Sequence, residues 1–167
     1  RDRAQIERAA EWFGALGEPA TDPGTGPAIG ADLADAVVRV VAATADADTW
    51  DTLRRRALAA HTPQDRLRYQ GALADSADPD LVVRLAQLVL TDEVRTQDGL
   101  FLLRRALGNR HAVDEVWQFV ADHWDHLGTR FPSASLPRLL EGIRTISRRD
   151  LAERVAGFLA EHPVPQG

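Results

Sequence analysis

The fold of this chain is decided by residues 91–127, whose sequence is TDEVRTQDGLFLLRRALGNRHAVDEVWQFVADHWDHL. Its first half is apolar on nearly all sides between Leu100 and Leu103, so a helix there needs cover on more than one side. Gly108 and Asn109 follow, and both residue types tolerate the left-handed conformation that ends many helices. The second half places apolar side chains at steps of three and four, which line up one helical face. The stretch therefore predicts two antiparallel helices joined by a short turn.

The second of these predicted helices carries the candidate structural core. Its apolar stripe must be buried, because a helix with one apolar face packs that face against a neighbour. The stripe consists of Val113, Val116, Trp117, Val120, Ala121 and Trp124. We expect Trp117, Phe119, Val120 and Trp124 to form the core of the helix pair.

Cap and turn signals divide the remainder of the chain into further helices. Thr62-Pro63 and Asp78-Pro79 each combine a capping side chain with a proline at the first helical position. The helix before them is predicted to start at Asp46 or Asp48. The second helix of the chain is expected to bury Leu33, Ala36, Val37, Val40 and Val41.

Two more helices are predicted in the last third of the chain. Ser133 or Ser135 is the expected cap of the first, which carries apolar residues from 136 to 146. The pattern Asp150-x-x-Glu153 resembles a capping box and is expected to start the second.

The architecture predicted from these signals is all-α. No segment alternates with period two, so we expect no strand. About nine helices joined by short turns recur at roughly the helix-pair period of α-solenoids, which favours a stack similar to HEAT or armadillo repeats. We expect residues 1–167 to form one helical-repeat domain, with a flexible linker at 18–27 because that segment is rich in Pro and Gly.

Composition excludes several classes of function. A net charge of −5 with interspersed acidic and basic residues is the opposite of the basic surface of a nucleic-acid binder. No apolar run approaches the about 18 residues of a membrane span, and the first residues are not a signal peptide. Cytoplasmic localisation is therefore the default expectation. The chain contains no methionine and begins within a helical pattern, so we expect it to be part of a longer protein.

The sequence lacks the motifs of a catalytic site. The zinc-protease signature H-E-x-x-H is absent, and so are G-x-S-x-G and Gly-rich phosphate loops. His123 and His126 have a spacing at which they could share a metal, but they are better explained as polar residues near a helix end. We therefore expect no catalytic and no metal-binding residue in this chain.

Several of these elements together carry a family resemblance. Val94-Arg95-x-Gln97-Asp98, an apolar helix, a break near Asn109-Arg110, then Trp117-x-Phe119-Val120 and Trp124 resemble the C-terminal helical domain of aminopeptidase N-like zinc metallopeptidases. His123 departs from the family pattern, which has Asn there, and Arg110-His111 replaces a Gly-Arg turn. The similarity extends over most of residues 33–162.

The resemblance has implications for fold and function. It implies a non-catalytic C-terminal domain whose helices form a bowl, capping the catalytic domain and enclosing the peptide-binding chamber. The parent would be a zinc aminopeptidase with its zinc outside this chain, and the partners would be the catalytic domain and peptide substrates. The alternative is a stand-alone helical-repeat scaffold that binds a protein partner through its concave face.

Arg95, Gln97 and Asp98 are the candidate substrate-binding residues. In the purely structural interpretation Thr96 or Asp98 lies in the first turn of a helix, and Arg95 pairs with a nearby acid. In the functional interpretation Arg95 and Gln97 hold the carboxylate or backbone of a peptide, since a guanidinium matches a carboxylate with two hydrogen bonds. The resemblance allows a basic residue in this role without singling out Arg95.

The end of the chain carries one more expectation. The family has a further helix after the segment corresponding to residues 151–162, and a repeat stack needs a polar terminal unit. We therefore expect Phe158, Leu159 and Val155 to be only partly covered.

Overall fold

The computed structural model is helical throughout the part of the chain that it describes, residues 3–16 and 30–164, in which no strand occurs. The predicted all-α class is confirmed. The predicted linker at 18–27 lies outside the described residues. Contacts divide the chain into two compact units, Arg1–Ser76 and Ala77–Gly167. The assembly of all helices into one solenoid domain stays a prediction.

The described ranges contain ten α-helices and two short 3₁₀ helices. The first unit has α1 (Arg3–Leu16), α2 (Ala31–Ala43), α3 (Ala47–Ala59) and α4 (Pro63–Leu73). The second has α5 (Pro79–Val89), α6 (Thr96–Leu107), α7 (Val113–Asp122), α8 (Trp124–Arg130), α9 (Leu136–Leu140) and α10 (Arg149–Glu161), with 3₁₀ helices at Ser133–Ser135 and Glu141–Thr145.

The predicted cap signals start three of these helices. Asp46 accepts a hydrogen bond from the Thr49 N–H at 2.9 Å before α3. Thr62 accepts one from the Asp65 N–H at 3.1 Å, with Pro63 as the first residue of α4. Asp78 caps α5, which also begins with a proline. Each cap satisfies an N–H group that has no partner within its own helix.

The core of the first unit is built around Trp50 on α3. Its indole is fully buried, and Nε1–H donates to the carbonyl oxygen of Leu73 on α4 at 3.4 Å. Arg56 joins α3 to α1, because its Nη1 donates to the Phe13 carbonyl at 2.7 Å and its guanidinium lies 3.7 Å from the Phe13 ring centroid. Hydrogen bond and cation–π contact thus act on the same residue.

The predicted face of α2 is only partly correct. Val37 and Val41 are buried as predicted, but Ala36 is exposed. Leu33 and Val40 are 41% and 37% exposed, whereas Ala34, Val38 and Ala42 are buried. Four valines on this helix leave two overlapping apolar faces, and the structure buries the one with small alanines at both ends. Small side chains let α2 approach the helices it packs on, α1 and α4, closely.

Helix α6 is the centre of the second unit. It packs against α5, α7, α9 and the Glu141–Thr145 turn, so it is covered on more than one side as predicted. Leu102, Leu103 and Leu107 are fully buried. Phe101 is the exception, with half of its surface exposed.

The predicted helix carrying the tryptophans is interrupted at His123. Helix α7 ends at Asp122, and α8 begins at Trp124. The His123 side chain lies 2.9 Å from the Phe119 carbonyl oxygen through Nδ1, and its ring stacks on Phe119. The His123 N–H still donates to the Phe119 carbonyl oxygen at 3.1 Å, but φ −112° and ψ 19° at His123 lie outside the α-helical region, so α7 ends there. Trp124 is therefore on a different helix from Trp117.

The long helix predicted over residues 136–146 is also interrupted. Helix α9 has only five residues, and a 3₁₀ helix follows at Glu141–Thr145. The predicted serine cap is wrong. Ser135 has helical φ and ψ angles and makes no side-chain cap hydrogen bond, and Ser133, the alternative, is the first residue of the preceding 3₁₀ helix. Gly142 packs so closely on α6 that a Cβ there would overlap the Arg104 carbonyl oxygen.

The predicted capping box of the last helix is absent. Residue Arg148 precedes α10 without a side-chain cap. Asp150 is bound instead by Arg148, whose hydrogen bond lowers the pKa of that carboxyl below its ordinary value. Glu153 pairs with Arg149 at 2.8 Å. Neighbouring arginines thus occupy both carboxylates of the motif.

Helix α10 docks on α7 through charge and aromatic contacts. Asp114 accepts hydrogen bonds from both Arg148 and Arg154. Phe158 lies between two indoles, with its ring centroid 5.6 Å from Trp117 and 5.5 Å from Trp124 in perpendicular geometry.

The expected partial exposure at the chain end is only partly observed. Phe158 and Leu159 are half-buried. Val155 departs from the expectation, since it is only 4% exposed. It lies one turn before Leu159 and shares the buried side of α10 with Leu151.

Candidate functional site

A cleft opens beside the start of α6. Its volume is about 580 Å³. One wall comes from the beginning of α6 and the other from the segment after α8. The lining residues are Arg95, Thr96, Gln97, Leu100, Phe131, Pro132 and Ser135.

The backbone around Arg95 is ordered by short-range hydrogen bonds. The Arg95 carbonyl accepts from the N–H groups of Asp98 at 2.9 Å and Gly99 at 3.1 Å, which closes the first turn of α6. Just before it, the Glu93 N–H donates to the Thr91 hydroxyl at 3.2 Å. Arg95 itself is extended, with φ −62° and ψ 139°, as is usual for the residue that precedes a helix.

Phe131 lines the cleft, and its ring packs against α6 at Gly99. It is buried, and its ring fills the space that a side chain at Gly99 would need. A Cβ at position 99 would lie 2.8 Å from Cζ of Phe131 and 3.0 Å from Cγ1 of Val89. The glycine therefore allows the aromatic ring to pack directly on the backbone of α6.

Arg130 reaches across to the segment that precedes α6. Its Nη2 donates to the carbonyl oxygens of Thr91 at 2.7 Å and Val94 at 3.1 Å. The Thr91 carbonyl lies two residues after the end of α5, where a cationic side chain is a favourable partner. Nε of the same guanidinium is buried and has no hydrogen-bond partner among the described residues.

The three candidate substrate-binding residues are placed differently. Arg95 and Gln97 are exposed and line the cleft. Asp98 is half-buried in the first turn of α6 and is not among the lining residues. Within the part of the chain that the structure describes, the Arg95 guanidinium has no hydrogen bond or ion pair. The cleft therefore presents a cation and an amide beside an apolar wall.

The opposite wall could not be recognised from the sequence. Phe131, Pro132 and Ser135 come from more than thirty residues further along the chain than Arg95. The only signal in the sequence was Phe131-Pro132, which indicates a helix boundary. That these residues face α6 depends on the path of α8 and α9.

The histidines weighed as metal ligands form no such site. The described residues contain no group of three or more His, Cys, Asp or Glu side chains arranged to hold a metal ion. His123 is engaged with the Phe119 carbonyl, and His126 is exposed on α8. None of the described helices has the length and apolar character needed to cross a membrane.

Comparison with known proteins connects this helical chain to peptidases. The relatives include Aminopeptidase M1-B of Oryza sativa subsp. japonica, 31% identical over 122 residues, which are 72% of this chain and 13% of that protein. Aminopeptidase M1 of Arabidopsis thaliana is 30% identical over 91 residues, 54% of this chain and 10% of the relative. The thyrotropin-releasing hormone-degrading ectoenzyme of Rattus norvegicus is 29% identical over 101 residues, 59% and 10% respectively.

The matched segment is a small part of each relative but more than half of this chain. The chain spans only 10% to 13% of the length of the three proteins. The family model described as ERAP1-like C-terminal domain, in contrast, matches all of residues 1–167. The resemblance found in the sequence is thereby confirmed. The chain belongs to the ERAP1-like C-terminal domain family, the helical domain of aminopeptidase N-like enzymes.

Proposed function

We propose that this chain is the non-catalytic C-terminal domain of an aminopeptidase that removes N-terminal residues from peptides. In this role it caps the active-site chamber of the catalytic domain and limits the access of substrates. The observation that carries the proposal is the family match over the whole chain, together with relatives that are named aminopeptidases.

Zinc, which the resemblance implies for the parent enzyme, does not fit the residues of this chain. The sequence lacks H-E-x-x-H, and the described residues offer no cluster of metal ligands. Three or four protein ligands are required for a catalytic or structural zinc site. We therefore assign the metal and the catalytic groups to the remainder of the parent protein.

We propose further that the cleft at α6 contacts the peptide. Arg95 is an exposed cation that lacks a partner among the described residues, and Gln97 adds an amide next to it. A guanidinium pairs well with a carboxylate or a carbonyl, and an amide can donate or accept. The apolar wall of Leu100, Phe131 and Pro132 would cover a neighbouring side chain. The half-buried Asp98 has no contact role in this proposal.

The first prediction is that the isolated chain is catalytically silent. It should not hydrolyse aminoacyl reporter substrates and should retain no stoichiometric zinc, because it supplies no set of ligands. Reporter hydrolysis and metal analysis after dialysis are the measurements. One tightly held zinc per chain, or turnover that co-purifies with the chain, would contradict the assignment of the chemistry to another domain.

A second prediction tests the peptide contact in a full-length protein that carries this domain. Arg95→Gln should raise KM about three- to tenfold for long peptides, the effect of one solvent-screened charged hydrogen bond. A dipeptide reporter, too short to reach the cleft, should be unaffected. Arg138→Gln, an exposed arginine on α9 that does not line the cleft, is the matched control. A KM that is independent of Arg95 for every peptide length would remove this contact from the proposal.

The same full-length protein distinguishes the domain role from that of a stand-alone scaffold. Removing residues 1–167 should change the discrimination between short and long peptides if the domain limits access to the chamber. The measured quantity is the ratio of kcat/KM for the two peptide lengths. An unchanged ratio, in a truncated enzyme that still turns over the dipeptide, would favour the scaffold alternative.

A further inference from the structure

We propose that Arg130 is the positioning residue of this cleft: its guanidinium holds the backbone that presents Arg95. The proposal rests on the proposed function in one respect, namely that Arg95 contacts the peptide. Arg130 itself lies on α8 and is not among the residues that line the cleft.

Arg130 donates hydrogen bonds to the backbone segment directly before Arg95, which sets the orientation of the Arg95 residue. Nη2 donates to the Val94 carbonyl at 3.1 Å and to the Thr91 carbonyl at 2.7 Å. The Val94 carbonyl belongs to the same planar peptide unit as the nitrogen of Arg95. A hydrogen bond that holds the Val94 carbonyl therefore also holds the orientation of the peptide plane that precedes the Arg95 Cα.

The residue after Arg130 makes a second contact with the start of α6, from the opposite wall of the cleft. Phe131 follows Arg130 directly, is buried, and packs on Gly99 one turn into α6. The C-terminal end of α8 thus holds the start of α6 at two places, by hydrogen bonds before the helix and by an aromatic ring under its first turn. The Val94 side chain, only 2% exposed, anchors the segment from within.

The hydrogen bonds of Arg130 are better suited to fixing the backbone before α6 than to stabilising the whole unit. A single Nη2 carries two N–H groups and can serve two carbonyls at once. The buried Nε of Arg130, which has no hydrogen-bond partner in the described part of the chain, offsets some of the free energy that those bonds contribute. Within the described ranges Arg130 makes hydrogen bonds to two carbonyl oxygens and to no carboxylate, and its guanidinium lies 5.9 Å from the Phe131 ring centroid. We therefore expect its loss to loosen the segment around Arg95 more than it lowers the stability of the unit.

Amide hydrogen exchange on this chain tests the positioning role directly. The reporters are the amides of Thr91, Asp98 and Gly99, whose hydrogen bonds surround the held segment. In Arg130→Gln they should exchange about ten- to hundredfold faster, the effect of losing a hydrogen bond to a charged group. Arg130→Lys keeps a charged donor and should be intermediate, while Arg138→Gln should match the wild type.

Amides in the middle of α5 and α7 show whether the effect is local. They should exchange at the wild-type rate in Arg130→Gln. If they accelerate as much as the three reporters, Arg130 supports the whole unit and the positioning role is wrong. If the reporters exchange as in Arg138→Gln, Arg130 does not hold the segment, and the proposal is equally wrong.

Kinetics in a full-length protein separate this inference from the function on which it rests. Arg130→Gln should raise the long-peptide KM as Arg95→Gln does, and the double variant should add little to either, because both changes act on one contact. If Arg95→Gln raises KM and Arg130→Gln does not, Arg130 is not a positioning residue. If Arg95→Gln leaves KM unchanged, the peptide contact fails, and the exchange experiment still decides whether Arg130 holds the segment.

Discussion

Trp117→Ala is expected to lower the free energy of unfolding by about 3–5 kcal/mol, the usual cost of removing a buried large aromatic side chain. The indole is only 3% exposed on α7, and it meets the Phe158 ring edge-to-face at 5.6 Å. Its loss removes transfer free energy, leaves a cavity, and also deprives α10 of an aromatic contact. Chemical denaturation followed by circular dichroism measures the change.

Trp124→Ala is the matched control for this substitution. It deletes the same side chain and contacts the same Phe158 ring at 5.5 Å, but Trp124 is half-buried. We expect it to cost about 1–2 kcal/mol, since less apolar surface is returned to water and little cavity remains. Equal costs for the two variants would mean that burial on α7 does not distinguish these tryptophans.

Gly142→Ala is the second substitution with a large expected effect. It should destabilise the protein by about 3 kcal/mol, near the upper end of what overpacking costs. The new methyl group would overlap the carbonyl oxygen of Arg104 and lie 2.8 Å from Cβ of Leu107. Both obstacles are close to the α6 backbone, so neither can move aside as the end of a long side chain would.

Gly157→Ala provides the opposite result with the same chemical change. Apart from the neighbouring backbone of α10 itself, no atom of the described residues lies within 4 Å of a Cβ at position 157, which is on the exposed side of α10. Alanine should raise the free energy of unfolding there by about 0.5–1 kcal/mol, because it is the better helix former and restricts the unfolded chain. A melting temperature that rises in Gly142→Ala as it does in Gly157→Ala would contradict the close packing at Gly142.

Local signals were the part of this fold that the sequence could predict. The starts at Asp46, Thr62-Pro63 and Asp78-Pro79 depend on atoms within three residues of one another, and the structure shows each of these caps. The apolar run of α6 likewise predicted cover on several sides. These features are local or compositional, so no knowledge of distant segments was needed.

The predictions that the structure contradicts concern features that depend on a distant packing partner or on a competing side chain. On α2 both faces are apolar, and only the packing partners select Ala34 and Val38 over Leu33 and Val40. At position 150 a capping motif is present, but Arg148 takes its carboxylate. A periodic pattern cannot reveal either outcome, because both depend on which atoms come near after folding.

In the candidate cleft, too, some residues could be found from a local motif, whereas others are brought there only by the fold. Arg95 and Gln97 were selected from one motif, and both line the cleft. Phe131 forms the other side because α8 returns it to α6, and Arg130 acts through backbone carbonyls that leave no trace in a sequence. Side chains that bind main-chain atoms are therefore the group that pattern analysis misses most readily.

The packing of Phe131 on Gly99 has a consequence for how this domain can diverge. Because the Phe131 ring and Val89 Cγ1 both lie at the place of a missing Cβ, a larger residue at position 99 requires these side chains to shift, and a smaller residue at position 131 removes the nearer obstacle. The two positions, 32 apart in the chain, are thus expected to vary as a pair among descendants of this sequence. Each change alone is expected to destabilise the unit, by overlap when residue 99 is enlarged and by a cavity when residue 131 is made smaller.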